Sequence, residues 1–201
     1  MDLYIFDFDD TLAITDSRVK VIRNGEDIWM TSREFANFPI NPSTDEISFD
    51  DFTRAQGTLI ADTAEEMEKA MDDVGQANVF IVTARSVGAP VEKWLIDTIG
   101  RSPKIIATSG GANKRPWLMG QLLKEKYRRV VVYEDCTHNI RDLKEAVEEH
   151  NSTTGESVIY SAMCILPDQS IVKAESRWRS ENLITEWDFR KITKNFLRKT
   201  W

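Results

Sequence analysis

Leu3-Tyr4-Ile5-Phe6-Asp7-Phe8-Asp9-Asp10-Thr11 is the stretch on which the reading of the fold turns. Four apolar residues stop abruptly at an acidic cluster, as in a short buried strand whose end delivers Asp7 to Thr11. Alternate carboxylates at a strand end suit two different jobs, one as nucleophile and one as acid and base. The plainer reading is a pair of aspartates capping the turn after the strand.

Three more apolar runs have the same character. Residues 79–82 end at Thr83, residues 104–107 run into Ser109-Gly110-Gly111, and residues 130–133 end at Glu134-Asp135. Between them lie helical periodicities. One begins near Thr63, with Glu66 three residues on as a capping box, and stops at Gly75. Others cover 91–99, closed by Gly100, and 114–126, with Pro116 tolerated in the first turn. A further apolar face is set by Ile140, Leu143, Ala146 and Val147. Residues 157–166 and 170–173 read as a terminal strand pair around Pro167-Asp168. Alternating strands and helices predict an α/β fold, a doubly wound, mostly parallel, Rossmann-like sheet covered on both faces. Reactive groups gather at the carboxyl edge of such sheets. Asp7, Thr83 and Glu134-Asp135 are all placed there.

The first strand and the helix near Thr63 are separated by about fifty residues. Within them, 19–23 and 26–30 flank Asn24-Gly25, the favoured pair for a two-residue type I′ turn. That loop sets Val21 opposite Ile28 and Val19 opposite Met30, one consistently apolar side. Residues 31–61 carry Pro39, Pro42 and Gly57 and show no sustained period, so an irregular connection with one or two short elements is expected. The predicted organisation is a core over 1–174 with a small hairpin-containing insertion at about 13–61. A basic segment at 175–201 follows, read as a packed helix.

Composition narrows the class. The chain has 201 residues, 41% hydrophobic and 29% charged, which suits one compact soluble domain with an insertion. A net charge of -7 argues against indiscriminate nucleic-acid binding by the whole surface. Cys136 and Cys164 are too few for a disulfide framework or a zinc site. Absence of a basic leader and of any long apolar run leads to the expectation of a cytoplasmic protein with no membrane contact.

Each remaining chemical candidate has a bland counterpart. The Thr83 hydroxyl, with the turn at Ala84-Arg85, could hold a phosphate oxygen, or it could cap a helix. Lys114 sits at a helix start, where the dipole disfavours a cation. Nearby carboxylates and phosphate would explain it; a solvated surface lysine is the alternative, and Arg115 and Lys104 are its rivals. Glu134-Asp135, with Asn139 four residues after Asp135, offers the hard oxygens that magnesium prefers, although Asp135 could also be a helix cap. His138 reads as a partly buried turn residue.

Taken in order, these segments resemble the haloacid dehalogenase superfamily. Asp7-Phe8-Asp9-Asp10-Thr11 matches its Asp-x-Asp-x-Thr motif, Thr83 its strand ending in Thr or Ser, and Lys114 its lysine at a helix start. Glu134-Asp135 matches the acidic pair after an apolar strand, with Glu in place of the commoner Asp or Gly. The chain is also similar to small members encoded by tailed phages, which would place it in a host cytoplasm. Its segment 133–138 is similar to one in polynucleotide and RNA-repair phosphatases of the superfamily. The resemblance implies a Mg²⁺-dependent phosphatase acting through an aspartyl-phosphate. Asp7 would be the nucleophile and Asp9 the acid and base, with Thr83 and Lys114 completing the catalytic set. Thr11, Thr83, Ala84, Arg85 and Lys114 would bind substrate. Asp7, Asp9 and Asp135 would hold the metal, with Glu134 and Asn139 acting behind them. The second aspartate favours phosphatases and also allows phosphomutases, since dehalogenases of the superfamily generally lack it and cation pumps commonly have Thr there. The insertion would be a small cap, leaving the pocket partly open to a phosphorylated small molecule or a nucleic-acid end.

Residues 173–201 hold eight basic groups against four acidic ones, with Trp178, Trp187 and Trp201 interspersed. Weak nucleic-acid contact through 175–201 is one reading, and an amphipathic helix with a solvated basic face is the other. Three further functional classes stay in view: a nucleic-acid end phosphatase in repair, a catalytically silent phosphate-binding module, and a signalling receiver domain. The last is disfavoured because residues 79–82 end at Thr83 rather than at an aspartate.

Overall fold

In the computed structural model, residues 1–36 and 38–175 are described. β1 (Asp2–Phe6) is followed by β2 (Ala13–Thr15), β3 (Val19–Arg23), β4 (Glu26–Met30), the short helix α1 (Ser32–Ala36), β5 (Asp45–Ser48) and β6 (Gly57–Leu59). Helices and strands then alternate through α2 (Ala61–Val74), β7 (Val79–Thr83), α3 (Ala89–Ile99), β8 (Lys104–Ala107) and α4 (Lys114–Lys124). β9 (Arg129–Glu134), α5 (Thr137–Thr154), β10 (Ile159–Ile165) and β11 (Ile171–Lys173) complete the order.

The main sheet runs β11-β10-β9-β1-β7-β8, parallel throughout except for β11 at one edge. Successive side chains of a strand point to opposite faces, so β1 builds two cores. Leu3 and Ile5 pack with Leu118, Leu122, Ile140 and Leu143 of α4 and α5. Phe6 packs with Met67, Met71, Val91 and Leu95 of α2 and α3 on the other side. The chain is therefore a Rossmann-like α/β fold, as expected from its alternating runs. From β1 it proceeds to β7 and β8 on one side, then returns to β9 and β10 on the other. The direction reverses between β1 and β9, and such a reversal opens a crevice at the carboxyl ends of the strands. Among the described residues no helix is long and apolar enough to cross a membrane.

The hairpin forms in the expected register, with Val21 opposite Ile28 and Val19 opposite Met30. Asn24 and Gly25 take φ of 54° and 81°, as a type I′ turn requires. β5 pairs with the other edge of β3, making a three-stranded sheet with its own small core of Val19, Val21, Met30 and Phe52. β2 and β6 form a two-stranded stem joining this insertion to the main body. At Gly57, a Cβ would lie 2.2 Å from the Ile14 carbonyl oxygen, so only glycine lets the two stem strands close.

Two local expectations need correcting. The helix near Thr63 starts at Ala61, and no side chain caps it. Thr63 is fully buried with an unpartnered hydroxyl, and Glu66 instead accepts from the Tyr133 hydroxyl at 3.1 Å. Core packing has overridden the capping box. The helix from Lys114 ends at Lys124, two residues early, where Glu125 turns extended. The expectations for the basic segment fall, from residue 176 onward, outside the described residues.

Candidate functional site

After β1 the chain makes a tight turn. The Phe8 carbonyl accepts from the N–H groups of Thr11, Leu12 and Ala13, and Asp10 takes a left-handed φ of 59°. Phe8 is fully buried and meets the edge of Trp94 at 5.5 Å, which anchors the turn. The Asp7 N–H donates to the Tyr133 carbonyl at 2.9 Å, so the ends of β1 and β9 are stitched together. This brings Asp7 beside Glu134 and Asp135 at the topological reversal.

Lys114 is 2% exposed, and its ammonium lies 2.8 Å from Asp7 Oδ1 and 2.7 Å from Glu134 Oε2. The cation at the helix start is thus explained by two buried carboxylates. Its rivals point elsewhere: Arg115 pairs with Glu145 and Glu149 on the surface, and Lys104 is exposed. Burial alone would lower the Lys114 pKa, but the charges of Asp7 and Glu134 outweigh it and raise the value. Burial pushes Asp7 up to about 7, with the Glu134 charge adding and Lys114 opposing. Glu134 is raised by burial too, again against the pull of Lys114. Its remaining oxygen, Oε1, accepts from the Cys136 N–H at 3.2 Å, and Asn139 hydrogen-bonds the same carboxylate. Burial raises the Cys136 thiol, which argues against a thiolate here.

Asp7, Glu134 and Asp135 each offer one carboxylate oxygen, all within 4.8 Å of one another. Thr11 Oγ1 stands 3.5 Å from Asp135 Oδ1. Hard oxygens at this spacing could hold a small divalent cation, and three carboxylates around one ammonium leave negative charge for it to offset. The Asp9 carboxylate is not among the three. Arg85 binds it with two parallel contacts, Nε to Oδ2 at 2.8 Å and a terminal nitrogen to Oδ1 at 2.7 Å, and the Thr15 hydroxyl donates to Oδ1 at 2.7 Å.

Arg85 is the residue that sequence placed least well. It was expected at the phosphate, yet it is 3% exposed and every one of its five N–H donors has a partner. Two go to Asp9, one to Ser17, and two to the carbonyls of Phe52 and Arg54. The guanidinium also lies over the Phe8 and Phe52 rings, at 5.2 and 5.0 Å. It thereby ties the insertion to the site.

Thr83 is 1% exposed and caps no helix, since α3 begins after Gly88. Its hydroxyl accepts from the Arg85 N–H at 3.3 Å. Asp135 caps none either, because the N-cap position of α5 is Cys136. Asp7, Asp9, Thr83, Arg85, Lys114, Glu134 and Asp135 line a cavity of about 1050 Å³ together with Val19, Ser32, Phe35, Phe49 and Phe52 of the insertion, whereas Thr11 is fully buried and does not line it. Ala84 and Asn139 line it as well; His138 lies at its edge, its side chain 76% exposed and 3.4 Å from Asp142. The sequence reading did not include the three phenylalanines, Thr15 or Ser17. No period marks them, and only the aromatic residues within an otherwise polar stretch were a signal. Comparison with known proteins gives no match: no protein-family model, no curated protein and no solved structure matches this chain.

Proposed function

We propose that the protein is a magnesium-dependent phosphatase of the haloacid dehalogenase type, cleaving a phosphate monoester through an aspartyl-phosphate at Asp7. The observation that carries this reading is the buried set at the strand ends. Asp7 is held by Lys114 against Glu134, with Asp135 adjacent, at the mouth of a large cavity.

Asp7 attacks phosphorus, and the bond from phosphorus to the leaving oxygen breaks. Asp9 gives its proton to that oxygen. Water then attacks the aspartyl-phosphate as Asp9 takes its proton; inorganic phosphate leaves and Asp7 regains its carboxylate. Arg85 and Thr15 fix the direction of Asp9 while it is ionised, and the oxygen that carries the proton must give up its Arg85 contact. Lys114 offsets the charge that gathers around Asp7, and the Thr83 hydroxyl would hold a phosphate oxygen. Asp7, Glu134 and Asp135 would hold Mg²⁺, which supplies electrostatic stabilisation of the phosphoryl oxygens when bound. On this reading Glu134 joins the metal set through its carboxylate, and the Asp9 carboxylate stays with acid–base work. The three-stranded insertion serves as the partial cap.

The test is turnover of an aryl phosphate by the unmutated protein and by Asp7→Asn, each with Mg²⁺ and with EDTA. Loss on the order of 10³-fold or more is expected in the variant. Activity that survives Asp7→Asn removes the mechanism.

A further inference from the structure

We infer that the leaving group of the substrate is apolar, the hydrocarbon part of a phosphorylated alcohol, and that Phe49 selects it. The inference rests on the phosphatase reading above for its phosphoryl end and for the role of Asp9, and it adds the nature of the alcohol. In-line attack by Asp7 sends the leaving oxygen to the opposite side of phosphorus, and the group that protonates that oxygen must stand there. Asp9 has this task, so the surroundings of Asp9 are the surroundings of the alcohol.

From Asp9 the structure leads straight to aromatic rings. Arg85 holds Asp9 at 2.8 and 2.7 Å, and its guanidinium lies 5.0 Å over the Phe52 ring. Phe52 meets Phe49 at 6.0 Å and 62°, and Phe49 meets Phe35 at 5.5 Å and 90°. All three rings line the cavity of about 1050 Å³, as do Val19 of the insertion and Ile165 and Pro167 of the main body. A phosphoryl group fills only a small part of that volume. Exposure singles out one ring. Phe52 is 7% exposed and belongs to the small core of the insertion, whereas Phe49 is 48% exposed. Edge-to-face contact with a ring on either side fixes how Phe49 stands. A fixed apolar side chain left open to water on a cavity wall gains free energy when an apolar partner covers it. The hydrocarbon of a leaving alcohol, attached next to Asp9, is such a partner.

Hydrolysis of the n-alkyl phosphates from ethyl to hexyl, with Mg²⁺, tests this. Their leaving alcohols are of nearly equal basicity, so the chemical step stays constant while apolar length varies. A fully buried methylene is worth about fourfold, so hexyl phosphate is expected to exceed ethyl phosphate by at least about tenfold in kcat/KM. Phe49→Ser should flatten the series, bringing hexyl and ethyl within about threefold, and Phe49→Leu, which keeps an apolar side chain, should keep the rise. Thermal unfolding of both variants separates a lost wall from a lost fold. Calorimetry of the unmutated protein with ethylphosphonate and hexylphosphonate, which cannot be hydrolysed at an ester bond, reads the same preference without turnover. A flat alkyl series, equal affinities for the two phosphonates, no measurable binding of either, or a rise that survives Phe49→Ser overturns the inference. Tighter binding of hexylphosphonate without hydrolysis of any ester refutes the phosphatase reading and leaves the apolar wall standing. Hydrolysis with no dependence on chain length refutes the wall alone.

Discussion

Replacing Arg85 by alanine should loosen the whole insertion, and the size of the effect can be worked from its contacts. The guanidinium is 1% exposed in its side chain and pairs with an Asp9 side chain that is 11% exposed. Removing one partner of a buried ion pair costs about 3–5 kcal/mol, because the other charge stays buried. Asp9 keeps the Thr15 hydroxyl, and its slight exposure lets water help, which favours the lower end. Against that, the carbonyls of Phe52 and Arg54 lose their Arg85 donor together, at roughly 1 kcal/mol per hydrogen bond. Together the two terms come to about 5 kcal/mol, and at about 2–4 °C per kcal/mol for a chain of this size the melting temperature should fall by roughly 10–20 °C. Arg85→Lys keeps the charge but cannot span Asp9 and both carbonyls, so an intermediate fall is expected. Arg54→Ala is the control: its ion pair with Asp51 lies on the surface, where such pairs contribute about 0–1 kcal/mol. Thermal unfolding by circular dichroism reads all three. An Arg85→Ala protein that melts with the control refutes the tie. Turnover adds an independent readout. An aryl phosphate with a good leaving group needs little help from Asp9, while an alkyl phosphate needs it fully. Arg85→Lys should therefore slow the alkyl ester more than the aryl one.

Two further outcomes follow from the same geometry. Asp7 is raised from 3.8 to about 7, so the stability it contributes is complete below its unfolded value and is lost as pH rises through about 7. Metal-free protein in EDTA should thus melt lower at pH 8 than near pH 5, with Asp7→Asn flattening that slope and Mg²⁺ opposing the loss; a slope unchanged in Asp7→Asn refutes the assignment. Gly57→Ala drives a Cβ to 2.2 Å from the Ile14 carbonyl oxygen at a φ of 153°, so the β2–β6 stem must part. A destabilisation of at least about 2 kcal/mol by urea unfolding is expected, and a neutral result would mean that the stem contributes nothing.

The fold was legible where short stretches decide their own state. β1, β7 and β9 are nearly continuous apolar runs because both faces of a central parallel strand are covered. The β3–β4 register follows from two turn residues alone. β5 was not legible: Asp45-Glu46-Ile47-Ser48 has one apolar residue and is a strand only because β3 lies beside it. Thr63 and Glu66 show the opposite failure, a correct local motif overridden by a core that needs Thr63 inside.

The site divides along the same line. Strand ends gave Asp7, Thr83 and the Glu134-Asp135 pair, because topology sends the ends of parallel strands to one edge. Which side chains then pair is decided by residues far away in sequence. Glu134 was expected to act behind the metal ligands, and the acidic pair itself does not reveal that a lysine twenty positions earlier holds its carboxylate. Arg85 is adjacent to the Thr83 motif, and sequence could only read it as a spare cation for phosphate. Its actual partners, Asp9 and Ser17, lie 76 and 68 residues upstream, and the other two are main-chain carbonyls, which carry no residue code at all. A buried arginine whose donors go to backbone therefore leaves no trace in sequence pattern. The carboxylate it holds is also the one assigned to acid–base work, so the position of the insertion and the aim of Asp9 depend on a single side chain.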